Sequence, residues 1–167
     1  MKKLFLTLAI VLTAFVSANA QVWIGGSANA AIQKNDVDFK IAPEIGYNIN
    51  SHWAIATGIG FRHVSDKTGA IDIEFNQLIV NPYVRYIGGT IGKKFSLFCD
   101  ATFDIDLLST QMWRAGIQPG IAWMATDKFT AAFRFAFAGY DHFYSQGQGF
   151  FLDFALAAPT FGLYYNF

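Results

Sequence analysis

Apolar side chains fall on every second position over long stretches of this chain, and that period of two constrains the fold more than any other feature. Strand side chains point alternately to opposite faces, so such stretches read as strands with one apolar face. From Val22 to Gln33, the residues Val22, Ile24, Gly26, Ala28, Ala30 and Ile32 share one face, and Trp23, Gly25, Ser27, Asn29, Ala31 and Gln33 share the other. Phe39 to Asn50 sets Phe39, Ile41, Pro43, Ile45, Tyr47 and Ile49 against Lys40, Glu44, Asn48 and Asn50. After a tight turn at Asn50-Ser51, Trp53, Ile55, Thr57, Ile59 and Phe61 oppose Ala54, Ala56, Gly58, Gly60 and Arg62.

The pattern continues to the end of the chain. About Asp72 to Ile87, Leu78, Val80, Pro82, Val84 and Tyr86 lie opposite Asn81, Tyr83 and Arg85, with a turn region at Gly88-Gly89, Lys93 and Lys94. Phe95, Leu97, Cys99, Ala101, Phe103 and Ile105 then alternate with Ser96, Asp100, Thr102, Asp104 and Asp106. Trp113, Ala115, Ile117, Ile121 and Trp123 oppose Arg114, Gln118 and Gly120, and Thr126-Asp127-Lys128 reads as a short turn. Phe129, Ala131, Phe133, Phe135 and Phe137 form the most uniform stripe, against Thr130, Ala132, Arg134 and Ala136. An eighth segment closes on Phe161, Leu163, Tyr165 and Phe167. Asp153 falls on its apolar parity, which calls for Asp153 to stand clear of the apolar zone or for a register reset near Pro159; the first is favoured because Asp153 is far from the terminus.

Composition decides where the apolar faces point. Half the residues are apolar (53%) and only 14% are charged, against ~25% in a typical soluble domain. After Ala20 no apolar run is long enough for the ~20-residue helix that crosses a bilayer. Strands that turn their apolar faces to lipid and close on themselves reconcile the two facts. The fold expected is an all-β, eight-stranded antiparallel up-and-down transmembrane barrel. A soluble sandwich or lipocalin-like barrel would invert it, with Phe129, Phe133 and Phe137 inside and all four arginines outside. Trp23, Trp53, Trp113 and Trp123 near predicted strand ends fit interfacial aromatic girdles and favour the membrane form.

Residues 1–20 read as a cleaved signal peptide, with Lys2 and Lys3, the apolar stretch Leu4 to Val16 and the small Ala18-Asn19-Ala20 at the cleavage site. Residues 21–167 then form one barrel domain. Without the two lysines the formal charge falls from zero to minus two, so no basic footprint for nucleic acid is expected. Cys99 is the only cysteine, which excludes an internal disulfide. His52, His63 and His142 are scattered and give no metal-ligand spacing, so neither metal nor cofactor is expected.

Four segments carry a resemblance: Pro43-Glu44-Ile45-Gly46-Tyr47, Pro82-Tyr83-Val84-Arg85-Tyr86, Pro119-Gly120-Ile121-Ala122-Trp123 with Asp127-Lys128-Phe129, and Phe161 to Phe167. In order and spacing the chain resembles the outer-membrane β-barrel family common in Bacteroidetes, OmpA/OmpX-like in shape. That resemblance implies the outer membrane of a Gram-negative bacterium, contact with its lipid and lipopolysaccharide, and both termini in the periplasm. It also implies that the last strand, through Phe161, Leu163, Tyr165 and Phe167, is the signal read by the barrel-assembly machinery.

Inward parity gathers a set of charges: Arg62, Arg85, Arg114 and Arg134 on four strands, and Glu44, Asp100, Asp104 and Asp106 on two others. Arg134, Asp100 and Glu44 are expected at mid-barrel depth, Arg62, Arg114, Asp104 and Asp106 nearer the outer mouth, and Arg85 nearer the periplasm. Eight strands leave a lumen just wide enough for side chains, and buried charges must be paired, so a self-paired polar plug with no open pore is expected, in a protein whose role is structural, in envelope integrity. One catalytic candidate is weighed. His63 and Ser65 share a face and resemble the His-x-Ser of outer-membrane lipid A deacylases, but the motif lies earlier here and lacks an evident carboxylate partner; a non-enzymatic protein is expected. Short outer connections around Lys34 to Asp38, Asp66 to Ala70 and Asp141 to Gly149 offer a binding or adhesion surface for an unknown ligand as an alternative.

Overall fold

The computed structural model describes residues 21–33, 36–66, 73–108, 112–142, 149–154 and 159–167. The expected signal peptide therefore lies outside the described residues, as do Asp72 and most of the longer connections. Ten strands make up one antiparallel sheet: β1 Val22–Gln33, β2 Asp36–Asn48, β3 Trp53–Asp66, β4 Ile73–Ile91, β5 Phe95–Asp106, β6 Trp113–Met124, β7 Phe129–Arg134, β8 Phe137–Asp141, β9 Gly149–Asp153 and β10 Thr160–Asn166. Consecutive strands pair from β1 through β7, β7 pairs with β10, and β10 pairs with β1. The sheet therefore closes. Because β8 continues β7 along β6 and β9 runs beside β8, the wall is that of an eight-stranded antiparallel barrel.

Tight turns at 49–52, 92–94 and 125–128 lie at one end, together with Trp23 and Asn166, which are opposite each other. We refer to this as the turn end and to its opposite as the loop end. At the first turn, Asn50 Oδ1 accepts from the backbone N–H groups of His52 and Trp53 at 2.8 and 2.9 Å. The second turn sits later than Gly88-Gly89. Those glycines belong to β4, where the register slips between Ile87 and Gly89, and the turn itself uses Gly92 at φ 66°, a conformation glycine adopts without steric cost. At the loop end, Asp36, Val37 and Asp38 extend β2, so the first outer connection is shorter than the sequence suggested, and β3 runs on through His63 and Ser65 to Asp66.

Outward positions are apolar and exposed across the wall: Ile41 on β2, Ile55 and Ile59 on β3, Val84 on β4, Leu97 on β5, Ile117 on β6, Leu163 on β10. Inward positions are buried and mostly small, polar or charged, with large rings at Trp23, Tyr83, Phe98, Phe137 and Tyr164. This belt has an edge on the loop side. Phe61 and Leu78 are paired and apolar, while the next outward pairs up, His63 with Asn76 and Ser65 with Glu74, are polar. Aromatic rings gather at both rims. At the turn end Trp53 packs on Tyr86 at 4.8 Å between ring centres, and Phe129 on Tyr165 at 5.1 Å. At the loop end Trp113 stacks on Tyr140 at 5.3 Å and on His142 at 5.8 Å. Such belts and girdles are what a bilayer imposes on a barrel's exterior.

Three expectations fail in informative ways. Trp23 is not part of a girdle. It is buried inside the turn end, edge-on to Tyr164 at 4.8 Å, where the missing side chain of Gly46 leaves room for its ring. Phe137 is not on the outer stripe either. Gly120 pairs with Arg134 and Ile117 with Ala138, three steps on β6 against four on its neighbour, so an extra residue at Phe135–Ala136 turns Phe137 inward. Its ring lies where a Cβ on Gly116 would be, which only glycine permits. Finally, Arg134 pairs with Thr160 and Phe137 with Asp153, three steps against seven. The last strand thus resets its register before Thr160, and Asp153 takes the parity of the inward Phe137 instead of the outward one. Along the closure, the β1–β10 ladder stops at Ala28 and Phe161; among the described residues no ladder joins Asn29–Gln33 to β9.

Candidate functional site: the charged lumen

All eight charged residues assigned to the lumen point inward. They fall into two tiers, and the lower one is the more tightly built. Asp100 on β5 is fully buried (0% exposed side chain) and accepts from Arg85 Nε and Nη2 at 2.7 and 2.8 Å and from Arg134 Nε at 2.8 Å. Arg134 on β7 also reaches Glu44 on β2 with Nη2 at 3.4 Å. Glu44 accepts further bonds from Tyr83 at 2.6 Å, from Tyr164 at 3.1 Å and from the Ser27 hydroxyl. Six strands thus meet on two carboxylates. Two guanidinium groups against two carboxylates leave no net charge, and each of the four carboxylate oxygens accepts at least one bond. That is the condition under which ions tolerate burial.

Arg85 was expected nearer the turn end than the other charges. Its strand does approach that end, but Asp100 is its direct cross-strand partner, and it joins the central cluster. Four aromatic rings surround its guanidinium, with Phe98 at 4.1 Å and Tyr83, Tyr164 and Trp23 at 5.4, 5.7 and 5.9 Å. Trp23, Tyr83, Phe98, Ala132 and Tyr164 form the buried apolar cluster below the charges.

The upper tier, toward the loop end, is more exposed. Asp104 accepts from Asn81 and from Arg114 Nη2 at 3.3 Å, and Lys40 Nζ stands 3.5 Å away. Arg62 grips Asp38 with Nε and Nη2 at 2.9 and 2.6 Å and donates to Gln77 Oε1 at 3.2 Å. Gln77, itself buried, passes a bond to Asp106 at 3.2 Å. Phe137 lies between the tiers, with the Arg114 guanidinium 4.3 Å from its ring centre. The lumen is filled side chain by side chain, as eight strands require.

Parity alone found the arginines and acids. It left Lys40, Asp38, Gln77, Asn81, Ser27, Tyr83 and Tyr164 out of the network, although each except Asp38 sits on an inward parity that the sequence displays. Asp38 was missed because it was assigned to a loop.

His63 and Ser65 lie outside this system, on the outer face above the apolar belt. His63 Nδ1 is 2.9 Å from Asn76 Oδ1, its ring packs near Phe39 at 5.6 Å, and Ser65 stands opposite Glu74. An amide, not a carboxylate, meets the imidazole, and no hydrogen bond joins it to Ser65. Phe161, Leu163, Tyr165 and Phe167 share the outward face of the final segment, with Tyr165 and Phe167 at 5.2 Å.

No family model matches this chain, and no curated protein matches it. Solved structures do. The chain is similar to a transmembrane β-barrel from the de novo design of such barrels, at 11% identity and TM-score 0.52, over 89% of this chain and 96% of that one. It also aligns with Ail, the attachment invasion locus protein of Yersinia pestis, at 13% identity and TM-score 0.42, over 88% and 97%. A third alignment, with the NanC porin, has 10% identity and TM-score 0.30, over 89% and 99%. The likeness to the designed barrel shows the fold. This chain has the architecture of a small transmembrane β-barrel.

Proposed function

We propose that this chain is a structural outer-membrane protein of a Gram-negative bacterium, of the Bacteroidetes-type small-barrel family, exported by a cleaved signal peptide over residues 1–20. Its wall contacts outer-membrane lipid and lipopolysaccharide, and its tight turns and both termini face the periplasm. Its final segment, Phe161 to Phe167, engages the barrel-assembly machinery. The lumen is a plug, not a pore, and the protein carries no catalytic step, cofactor or metal. The observation that supports this reading is the charge-neutral lower tier around Asp100 and Glu44, which fills the cross-section with paired groups. A path for hydrated ions would have to break those pairs.

Two measurements test it. Protein from outer-membrane fractions should migrate faster on a detergent gel unboiled than boiled, and purified barrel in a planar bilayer should give no stepwise conductance. Recovery as a soluble protein would remove the membrane reading; regular ohmic steps would remove the plug.

A second reading, a binding or adhesion surface at the loop end, draws support from β9. Its outward Phe150 and Leu152 are the most conspicuous apolar exposures there, Phe150 at 86%. Removing 143–148 while retaining insertion would abolish surface binding on that reading and leave a structural barrel unaffected.

A further inference from the structure

Cleavage after Ala20, the reading on which this inference rests, leaves a chain that begins one residue ahead of its core. Gln21 becomes the first residue. Val22 and Trp23 follow it directly and are 6% and 3% exposed, and Trp23 belongs to the apolar cluster beneath Arg85. Chain ends are where proteolysis concentrates. An exopeptidase that took three residues from this end would remove a ring from the core.

Gln21 itself is held from its carbonyl side. Its C=O accepts from the Asn48 N–H at 2.7 Å, and the next carbonyl, that of Val22, accepts from the Phe167 N–H at 3.2 Å. The residue stands just outside β1, half-buried, and among the described residues its carboxamide has no partner. The new α-amino nitrogen and the side-chain carbonyl carbon Cδ therefore belong to one residue whose side chain nothing ties down. An α-amine titrates below a lysine, so part of it is unprotonated and nucleophilic near neutral pH.

We propose that Gln21 is a modification site, closing on itself to a pyroglutamyl end once the signal peptide is removed. The α-nitrogen attacks Cδ of its own side chain and an N–Cδ bond forms. The bond from Cδ to the amide nitrogen Nε2 breaks, and that nitrogen leaves as ammonia with the proton given up by the attacking amine. Nothing is oxidised or reduced and no co-reactant enters. The lactam has no ionisable amine, so the turn end loses one positive charge. Exopeptidases that require a free α-amine find none ahead of Val22 and Trp23.

The test reads the first peptide of barrel recovered from outer-membrane fractions, by tandem mass spectrometry after digestion in the cold at neutral pH. An isotope-labelled synthetic copy of that peptide, carried through the same steps, measures cyclisation caused by handling. Most molecules should begin at residue 21 and be lighter by one ammonia than the glutaminyl form. They should resist Edman degradation and become readable from Val22 after treatment with pyroglutamyl aminopeptidase. Gln21→Ser, which has no side-chain amide, should keep an open end and lose its first residue to a broad-specificity aminopeptidase that leaves the wild type intact. A free Gln21 α-amine in most molecules, or blocking no greater than in the synthetic peptide, would overturn the proposal and leave the signal peptide standing. So would equal trimming of wild type and Gln21→Ser. A different first residue would overturn both readings.

Discussion

Asp100→Asn isolates the contribution of the lower tier with almost no change in shape. The substitution keeps the volume and removes one negative charge, leaving Arg85 and Arg134 facing Glu44 alone: two cations against one anion in a cluster where the arginine side chains are 9% and 6% exposed. Three charge-assisted bonds are lost or weakened at once. Breaking a buried ion pair from one side costs about 3–5 kcal/mol, a reduction of roughly two to three and a half orders of magnitude in the folding equilibrium. The comparison is Arg62→Met at the mouth, whose partner Asp38 is 27% exposed and where about 0–1 kcal/mol is expected. Urea titration of each variant in lipid vesicles, followed by tryptophan emission and by gel mobility, gives the two values. Adding Arg134→Met to Asp100→Asn restores neutrality, so the double variant should cost less than the sum of the singles. If Asp100→Asn costs under about 1 kcal/mol, no more than Arg62→Met, water rather than Asp100 solvates the arginines, and the plug argument fails.

Further outcomes follow from the wall and its irregularities. Ile59→Arg places a charge halfway along β3 on the exposed face and should cost about 2–4 kcal/mol in a bilayer; a neutral result in vesicle unfolding would mean that face does not meet lipid. Phe137→Ala should destabilise by about 3–5 kcal/mol because the ring is buried inside, whereas Phe135→Ala on the outer side should cost visibly less; equal costs would contradict the inward turn at the bulge. In single-tryptophan variants, brominated lipids should quench Trp53 and Trp123 but not Trp23, and strong quenching of Trp23 would return it to the girdle. Phe167→Ala should lower the amount of barrel recovered in outer membranes while leaving refolding in detergent unchanged; an unaltered yield would argue against the terminal strand as an assembly signal.

Much of this was legible because a barrel strand repeats a simple rule. Phe95–Asp106 alternates without interruption, and its bounds and faces follow directly from the sequence. Parity assigns residues to faces, but it cannot count through an irregularity. Phe129 to Phe137 looks like one unbroken apolar stripe, and nothing local marks the extra residue at Phe135–Ala136. The signal lay across the sheet, in Gly116 and Gly139, two inward glycines on neighbouring strands that only a large inward side chain would fill. Trp23 was misplaced for a similar reason. Its position near a strand end suggested a girdle, while its own parity, shared with Ser27, already pointed inward. Charge partners were harder still, because barrel shear offsets strands that are adjacent in sequence. Arg85 meets Asp100 through a register that depends on the slip at Gly88.

The closure of the wall has a mechanical consequence. The ladder between the first and last strands runs only from Trp23 opposite Asn166 to Ala28 opposite Phe161, whereas β3 and β4 are joined from Trp53 opposite Tyr86 to Asp66 opposite Ile73. Ladder bonds share a load, so the shorter seam is where the cylinder should part first when the chain is pulled or heated. Amide protons along β10 should then exchange with solvent earlier than those along β3, and unzipping should begin at the join and peel one hairpin at a time around the wall.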